Sequence, residues 1–314
     1  MRPNNPLFSV LREHPFLLLD GAMATELENR GCQLSDSLWS ASILQENPQL
    51  IEQVHYDYFQ AGARCAITAS YQASLPGFAA RDIPARDAQA LMRLSVTLAA
   101  NARHRYLSEH PQAGPLLIAG SVGPYGAYLA DGSEYRGDYQ CSLQQYQDFH
   151  RPRIAALIEA GADLLACETL PSFDEIRALA ELLNDYPRIT AWFSFTLKDA
   201  HHLSDGTSLS EVVAFIEGYP RIVAIGINCI APDETTEALR HLHALTPLPL
   251  VVYANSGEHY DPVSKTWHPP HHNETTLSDY LPAWLEAGAR VVGGCCRTTP
   301  SDIAALHRLQ TVPA

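Results

Sequence analysis

Leu285-Glu286-Ala287-Gly288-Ala289-Arg290-Val291-Val292-Gly293-Gly294-Cys295-Cys296-Arg297-Thr298 reads as three pieces joined without a break. A helix ends, a glycine turns the chain, and an apolar run stops at two glycines and two adjacent thiols. Gly288 suits the left-handed position just past the last helical turn, and Val291-Val292 suits a buried strand. The phrase occurs twice more. Phe59-Gln60-Ala61-Gly62-Ala63-Arg64 precedes Cys65-Ala66-Ile67-Thr68, and Ile158-Glu159-Ala160-Gly161-Ala162-Asp163 precedes Leu164-Leu165-Ala166-Cys167. Repeated helix-to-strand joints imply repeated βα units.

Working outward, the apolar runs Phe16–Asp20, Cys65–Ser70, Leu116–Ser121, Leu164–Glu168, Thr190–Thr196, Val223–Asn228, Leu250–Ala254 and Val291–Gly294 are the strand candidates. Near-continuous apolar runs separated by helical stretches mark a parallel sheet. Asn47-Pro48 and Thr299-Pro300 each place a capping side chain before a proline at the first helical position, and Asp302 suits the helix dipole in that first turn. Such units over about 250 residues or more make a TIM-type (β/α)8 barrel. An open doubly wound sheet is the rival, weakened because no Gly-rich dinucleotide fingerprint follows the first strand. No linker, charge block or low-complexity tract divides residues 1–314, so a single barrel domain is expected.

The 314 residues are 46% hydrophobic and 18% charged, enough for a sizeable core. A formal net charge of −14 argues against nucleic acid or an anionic membrane surface as partner. The early run Phe16-Leu17-Leu18-Leu19 is short and closed by Asp20, unlike a signal peptide, and no run is long enough to span a bilayer. Seven cysteines without an export signal suggest a reducing, cytoplasmic setting in which thiols bind metal or stay free.

The polar residues at the strand ends carry the chemistry. Asp20 ends the first strand, Ser70-Tyr71 the second, Glu168 the fourth, Asn228-Cys229 the sixth and Cys295-Cys296 the eighth. In such barrels these ends share one mouth, the usual place of an active site. Zinc takes thiolates at tetrahedral corners and leaves a corner open in catalytic sites, so Cys229, Cys295 and Cys296 are read as holding one zinc ion. Neighbouring thiols can serve one ion only if the backbone bends. Gly293 and Gly294 would permit a bulge or turn and a close approach. Buried structural cysteines or a dithiol redox pair are the competing readings. Asp20 and Glu168 could grip an ammonium group, or be capping and ion-pair carboxylates. Trp39 and Tyr71 could offer ring faces to a cation, or simply pack. Two long connections, Val122–Cys141 with several tyrosines and Asn255–Ser278 with His259, His268, His271 and His272, follow strands and so lie at the same mouth. The histidines lack clear ligand spacing.

Asp20-Gly21-Ala22-Met23, Gly226-Ile227-Asn228-Cys229 and Gly293-Gly294-Cys295-Cys296-Arg297-Thr298 together resemble the zinc-dependent homocysteine S-methyltransferases, closest to the bacterial enzymes that use S-methylmethionine. Ile67-Thr68-Ala69-Ser70-Tyr71-Gln72, Gly120-Ser121-Val122-Gly123-Pro124-Tyr125-Gly126 and Cys167-Glu168-Thr169-Leu170-Pro171 extend the resemblance over about residues 17–309. It implies a barrel, one Zn2+ per chain held by Cys229, Cys295 and Cys296, and L-homocysteine as methyl acceptor. It further implies that Asp20 and Glu168 hold the acceptor's amino group, with Ser70 and Asn228 lining the pocket and Trp39 and Tyr71 near the donor.

The implied reaction moves a methyl group from a sulfonium donor, S-methylmethionine and S-adenosylmethionine, to the homocysteine sulfur, giving methionine. A free thiol with a pKa of ~8.5 is only slightly ionised near pH 7, which is why zinc is needed. Betaine as donor is the alternative within the class. A dithiol redox protein using Cys295 and Cys296 is the alternative outside it. A monomer or small homo-oligomer is expected.

Overall fold

The computed structural model describes residues 5–34, 40–257, 259–261, 266–268 and 275–310. Its centre is an eight-stranded sheet. In chain order the strands are β1 (Leu17–Leu18), β2 (Cys65–Ile67), β3 (Leu117–Val122), β4 (Leu164–Leu170), β5 (Ala191–Phe195), β6 (Ile222–Asn228), β7 (Leu250–Ala254) and β8 (Ala289–Gly294). Every neighbouring pair is parallel, and β8 returns to β1 through Leu17↔Val291 and Leu18↔Val292. A parallel bridge, Leu19↔Cys65, joins β1 to β2 and closes the ring. Arg64 N–H donates to Leu18 O at 2.7 Å and Asp20 N–H to Cys65 O at 3.1 Å across the same seam. This is the TIM-type (β/α)8 barrel expected, with all eight strands at the expected places.

Strand side chains alternate between two cores because successive residues point to opposite faces. Leu17, Leu19, Cys65, Leu117, Ala119, Leu164, Ala166, Trp192, Val251, Tyr253 and Val291 fill the barrel interior. Leu18, Ala66, Ile118, Leu165, Phe193, Ile225, Val252 and Val292 face the surrounding helices. Each fully buried aliphatic or aromatic side chain adds roughly 1.5–3 kcal/mol. Ahead of β1, the helix Leu7–Leu11 contributes Leu7 and Val10 to the interior cluster. The alternation also decides where the chemistry lies. Counted on from Leu164 and Ala166, Glu168 points inward, and Ser121, Ser194 and Asn228 do so by the same count. A polar layer therefore sits on top of the apolar layers, at the strands' C-terminal ends.

The three repeated joints are left-handed, with φ of +106° at Gly62, +91° at Gly161 and +97° at Gly288. At the first, Gly62 N–H donates to Phe59 O and Ala63 N–H to Tyr58 O, which satisfies the last helical carbonyls. The helix starts differ in detail from expectation. The helix Pro48–Gln60 begins at the proline as expected, but Asn47 makes no side-chain cap bond, so the fixed φ of Pro48 sets the start alone. At Thr299, Asp302 Oδ2 reaches back to the Thr299 N–H and Oγ1, both at 2.8 Å. A hairpin of Leu197–Asp199 and His202–Leu203 after β5 was not anticipated.

In the long connection after β7, a second hairpin pairs His259–Asp261 with Thr266–His268. His271 and His272 lie outside the described residues, as does Trp39. Among the described residues, no helix is long and apolar enough to cross a membrane.

Candidate metal centre and substrate pocket

Cys229 follows β6 directly. Its backbone is left-handed, φ 57°, and its N–H donates to Tyr253 O at 3.1 Å. A side chain at such a φ is strained, and the strain turns the thiol off the strand's regular course into the mouth. Cys295 and Cys296 follow β8. Cys295 N–H donates to Ala254 O at 2.7 Å. A tight turn then runs from Cys295 to Thr298, closed by Thr298 N–H and Oγ1 on Cys295 O at 3.2 and 2.7 Å. Arg297 takes the left-handed position of that turn, φ 67°.

The bend that brings the two thiols together therefore comes after the glycines, not at them. Gly293 and Gly294 stay in the strand without a bulge. Their role is close approach. A Cβ on Gly293 would stand 2.5 Å from Leu19 Cβ, and one on Gly294 would stand 2.3 Å from Thr298 Oγ1.

The thiols converge. Cys229 Sγ lies 2.8 Å from Cys295 Sγ and 3.5 Å from Cys296 Sγ. All three cysteines are free, since 2.8 Å is well beyond the ~2.05 Å of a disulfide bond. The neighbouring Cys229 and Cys295 thiols hold the ionisation of Cys296 well below the usual thiol range. Cys295, hydrogen-bonded to Cys229 and Cys296 and buried, is held well above it. Three sulfur atoms within 4.8 Å of one another and partly open to solvent form a donor set that fits a single thiophilic ion.

Beside the thiols lies a carboxylate pocket. Asp20 and Glu168 are 3% and 6% exposed, so neither can be an ordinary surface acid. Asp20 Oδ2 accepts from Ile67 N–H at 2.8 Å. Burial pushes the Asp20 carboxyl well above its usual range, the Ile67 bond opposes this, and the charge of Glu168 adds to it. Glu168 accepts from Ser121 Oγ, and from Tyr253 Oη at 2.8 Å. Burial nevertheless raises its pKa to about 7, against those two donors. Two buried acids that each resist ionisation, with the charge of Glu168 acting on Asp20, suit a cation with several N–H groups. Tyr253 in turn accepts from Trp192 Nε1 at 3.2 Å and lies 2.6 Å from Ser194 Oγ.

Asn228 and Ser70 support this pocket through neighbours. Asn228 Oδ1 accepts from Thr169 N–H at 2.9 Å, and its Nδ2 donates to Thr169 Oγ1 at 2.8 Å. Thr169, the residue after Glu168, is left-handed at φ 60°, a conformation a β-branched residue adopts only when held. Ser70 Oγ donates to Ser121 O at 2.8 Å and lies 2.8 Å from Thr68 Oγ1. Tyr71 is half-buried, and its hydroxyl is held protonated chiefly by burial, then by the charges of Glu134 and Cys229.

The connection after β3 folds into the helix Tyr125–Leu129 and a short turn Ser133–Tyr135. It brings Tyr135 Oη to 3.6 Å from Cys229 Sγ. A buried relay anchors it. Arg153 Nη1 donates to Tyr71 O at 2.6 Å, and Nη2 to Gly123 O at 2.6 Å and His150 Nδ1 at 2.9 Å. Guanidinium only donates, so His150 Nδ1 must accept and its Nε2–H points to Glu175 Oε1 at 2.7 Å. Glu175 also accepts from Tyr125 N–H at 2.6 Å and Tyr139 Oη at 2.5 Å. Neutral His150 thus bridges a buried cation and a buried anion.

Tyr253, Ser121 and the Arg153–His150–Glu175 relay were given no role from the sequence, and Tyr135 was placed there only as one tyrosine of the loop after the third strand. Period-two counting inside each strand would have flagged Ser121 and Tyr253 as inward-facing polar groups. No local signal marks Tyr135.

A closed parallel barrel with a thiol triad and paired carboxylates at its C-terminal mouth defines the class as a barrel enzyme with a candidate sulfur-ligated metal centre. A family model described as homocysteine S-methyltransferase matches residues 17–309. Homocysteine S-methyltransferase of Escherichia coli (strain K12) is 68% identical over 308 residues, 98% of this chain and 99% of its own. Homocysteine S-methyltransferase YbgG of Bacillus subtilis (strain 168) is 51% identical over 306 residues, 95% of this chain and 96% of its own. The crystal structure of the metallated form of the homocysteine methyltransferase MmuM from Escherichia coli matches with a TM-score of 0.90 at 63% identity, covering 97% of this chain and 100% of that one. The chain belongs to the homocysteine S-methyltransferase family.

Proposed function

We propose that this chain transfers a methyl group from S-methylmethionine, and from S-adenosylmethionine, to the sulfur of L-homocysteine, with one zinc ion held by Cys229, Cys295 and Cys296. The observation that carries the reading is the convergence of these three sulfurs beside two buried carboxyls in a chain of this family. Zinc on three thiolates would supply the charge that ionises a substrate thiol at neutral pH while leaving its sulfur electron-rich.

The protein's own residues do the rest. Asp20 and Glu168 receive the homocysteine ammonium, and its arrival lets both carboxyls ionise. Tyr253 Oη and Ser121 Oγ aim Glu168, while the Ile67 N–H aims Asp20. Asn228 holds the left-handed Thr169 inside β4 and so fixes the strand at Glu168. Tyr135 and Tyr71 crowd the thiols and displace water from the path of the methyl group. Positioning of this kind is a large share of the rate where two reactants must meet in line.

In the transfer, a bond forms between the homocysteine sulfur and the methyl carbon. The carbon–sulfonium bond breaks, and its electron pair stays on the departing thioether. With S-methylmethionine, two methionines form and the acceptor's thiol proton is released. No general base is required in the transfer step.

The test is an assay of reduced, zinc-loaded protein with homocysteine and, in parallel, S-methylmethionine, S-adenosylmethionine or betaine. Methionine from the two sulfonium donors, little from betaine, loss on chelation and return with zinc are expected. No methionine from either sulfonium donor would overturn the reading. Full activity in zinc-free protein would remove the metal from it, and thiol exchange in its place would favour the dithiol redox alternative.

A further inference from the structure

Glu134 has a buried carboxyl and no assigned task. The residue is 6% exposed, and its Oε2 is sealed from solvent without a hydrogen-bond partner. Its backbone, by contrast, is firmly held. Thr196 Oγ1 donates to Glu134 O at 2.9 Å, and a Cβ on Gly126 would stand 2.7 Å from Glu134 N. The nearby guanidinium is committed elsewhere. Arg136 pairs with Asp138 at 2.8 Å and Asp131 at 3.7 Å. The Glu134 backbone N–H serves the carboxyl, but an oxygen buried without a partner is costly unless something binds it.

Its place in the fold says what would. The next residue, Tyr135, puts its hydroxyl 3.6 Å from Cys229 Sγ, so Glu134 lies on the turn that reaches the thiol triad at Cys229. The charge of Glu134 also acts on the Tyr71 hydroxyl. The acceptor's ammonium has its own carboxyls, Asp20 just after β1 and Glu168 on β4. The unmet Oε2 of Glu134 is therefore left for the other reactant.

We propose that Glu134 is the counter-charge for the cationic methyl donor at the thiol triad. The inference rests on the methyl-transfer reading above. The phenol rings of Tyr71 and Tyr135 beside it add faces that attract onium groups. Burial has already raised the Glu134 carboxyl to about pH 7, and an arriving cation draws it back to the ionised form.

Glu134→Gln keeps the shape and removes the charge. Its KM for S-methylmethionine should rise by about tenfold or more, the ratio expected for one lost charge-assisted contact. Its KM for homocysteine and its zinc content should match the wild type. Glu134→Asp should recover part of the donor KM, which a merely structural role would not produce. Tetramethylammonium, a cation that resembles the onium centre, is the second probe, measured by calorimetry. It should bind the wild-type protein and be displaced by S-methylmethionine, and it should bind Glu134→Gln much more weakly. Equal donor KM and equal tetramethylammonium binding in wild type and Glu134→Gln would overturn the proposal. So would loss of zinc or homocysteine binding in step with the donor. If tetramethylammonium binds through Glu134 but no sulfonium donor yields methionine, the cation site stands and the methyl-transfer reading falls.

Discussion

Tyr253 Oη lies 2.8 Å from Glu168 Oε2, joining the inner face of β7 to the inner face of β4 across the barrel. The hydroxyl has one proton. With that proton on Glu168, the Trp192 and Ser194 groups must both donate to Tyr253. The direction of a chain of hydrogen bonds through the barrel interior is thereby fixed, and it ends on the carboxyl assigned to the substrate's amino group.

Tyr253→Phe removes the hydroxyl and leaves Trp192 Nε1 and Ser194 Oγ without their acceptor. Stability should fall by about 1–3 kcal/mol, the usual result of leaving buried donors unpaired. The KM for homocysteine should rise by about tenfold, with zinc content unchanged, because Glu168 loses a donor that favours its charged form. Denaturant unfolding, steady-state kinetics and metal analysis read the three quantities. An unchanged KM would separate Tyr253 from the substrate pocket.

Glu168→Gln gives a pH test. The folded-state pKa of Glu168 is raised from 4.5 to about 7. Folded protein therefore holds a proton that unfolded chain has released, and this contribution to stability is complete below pH 4.5 and lost as pH rises through 7. Glutamine carries no such loss. In metal-free, reduced protein, Glu168→Gln should gain on the wild type between pH 5 and pH 8, by up to about 3 kcal/mol. Urea unfolding at the two pH values checks it, and a difference that does not change with pH would contradict the raised pKa. The same variant should bind homocysteine poorly at both.

Cys229→Ser should lower bound zinc to well below one per chain after dialysis against a weak chelator, and abolish methionine formation. Glu168→Ala, by contrast, should keep its zinc. Metal loss in Glu168→Ala would make that carboxylate a ligand and overturn the division of labour between the thiols and the acids.

Asn228→Ala frees both Thr169 groups and leaves a strained backbone unsupported. A loss of about 2–3 kcal/mol is expected from two buried hydrogen bonds. Adding Thr169→Gly should return part of it, because glycine tolerates φ 60°. No recovery in the double variant would mean that the Thr169 conformation is not the source of the loss.

The strands, their joints and the thiols were legible because each depends on local pattern. Gly62, Gly161 and Gly288 announce their left-handed turns within a few residues, and Cys295-Cys296 stands out after an apolar run. The hydrogen-bond partners of Glu168 were not legible. Ser121 is 47 positions away and Tyr253 is 85, and they meet only because the barrel closes. An aromatic residue inside Leu250–Ala254 reads as core, which Tyr253 also is. The bend at Cys296-Arg297 was misplaced onto Gly293 and Gly294 because a left-handed arginine has no signature of its own. Glu134 was invisible for a similar reason, since an acid in a loop is ordinarily solvated.

The seam between β1 and β2 is the thinnest place in the ring, with a single bridge at Leu19↔Cys65. Asp20 fastens it a second time, from its side chain to the Ile67 N–H. The same carboxylate thus serves as a clasp of the cylinder and as a hand for the acceptor. Drawing it toward an ammonium group would tug on the clasp. Amide exchange at Ile67 should respond to homocysteine more than exchange anywhere on the better-laced side between β4 and β6.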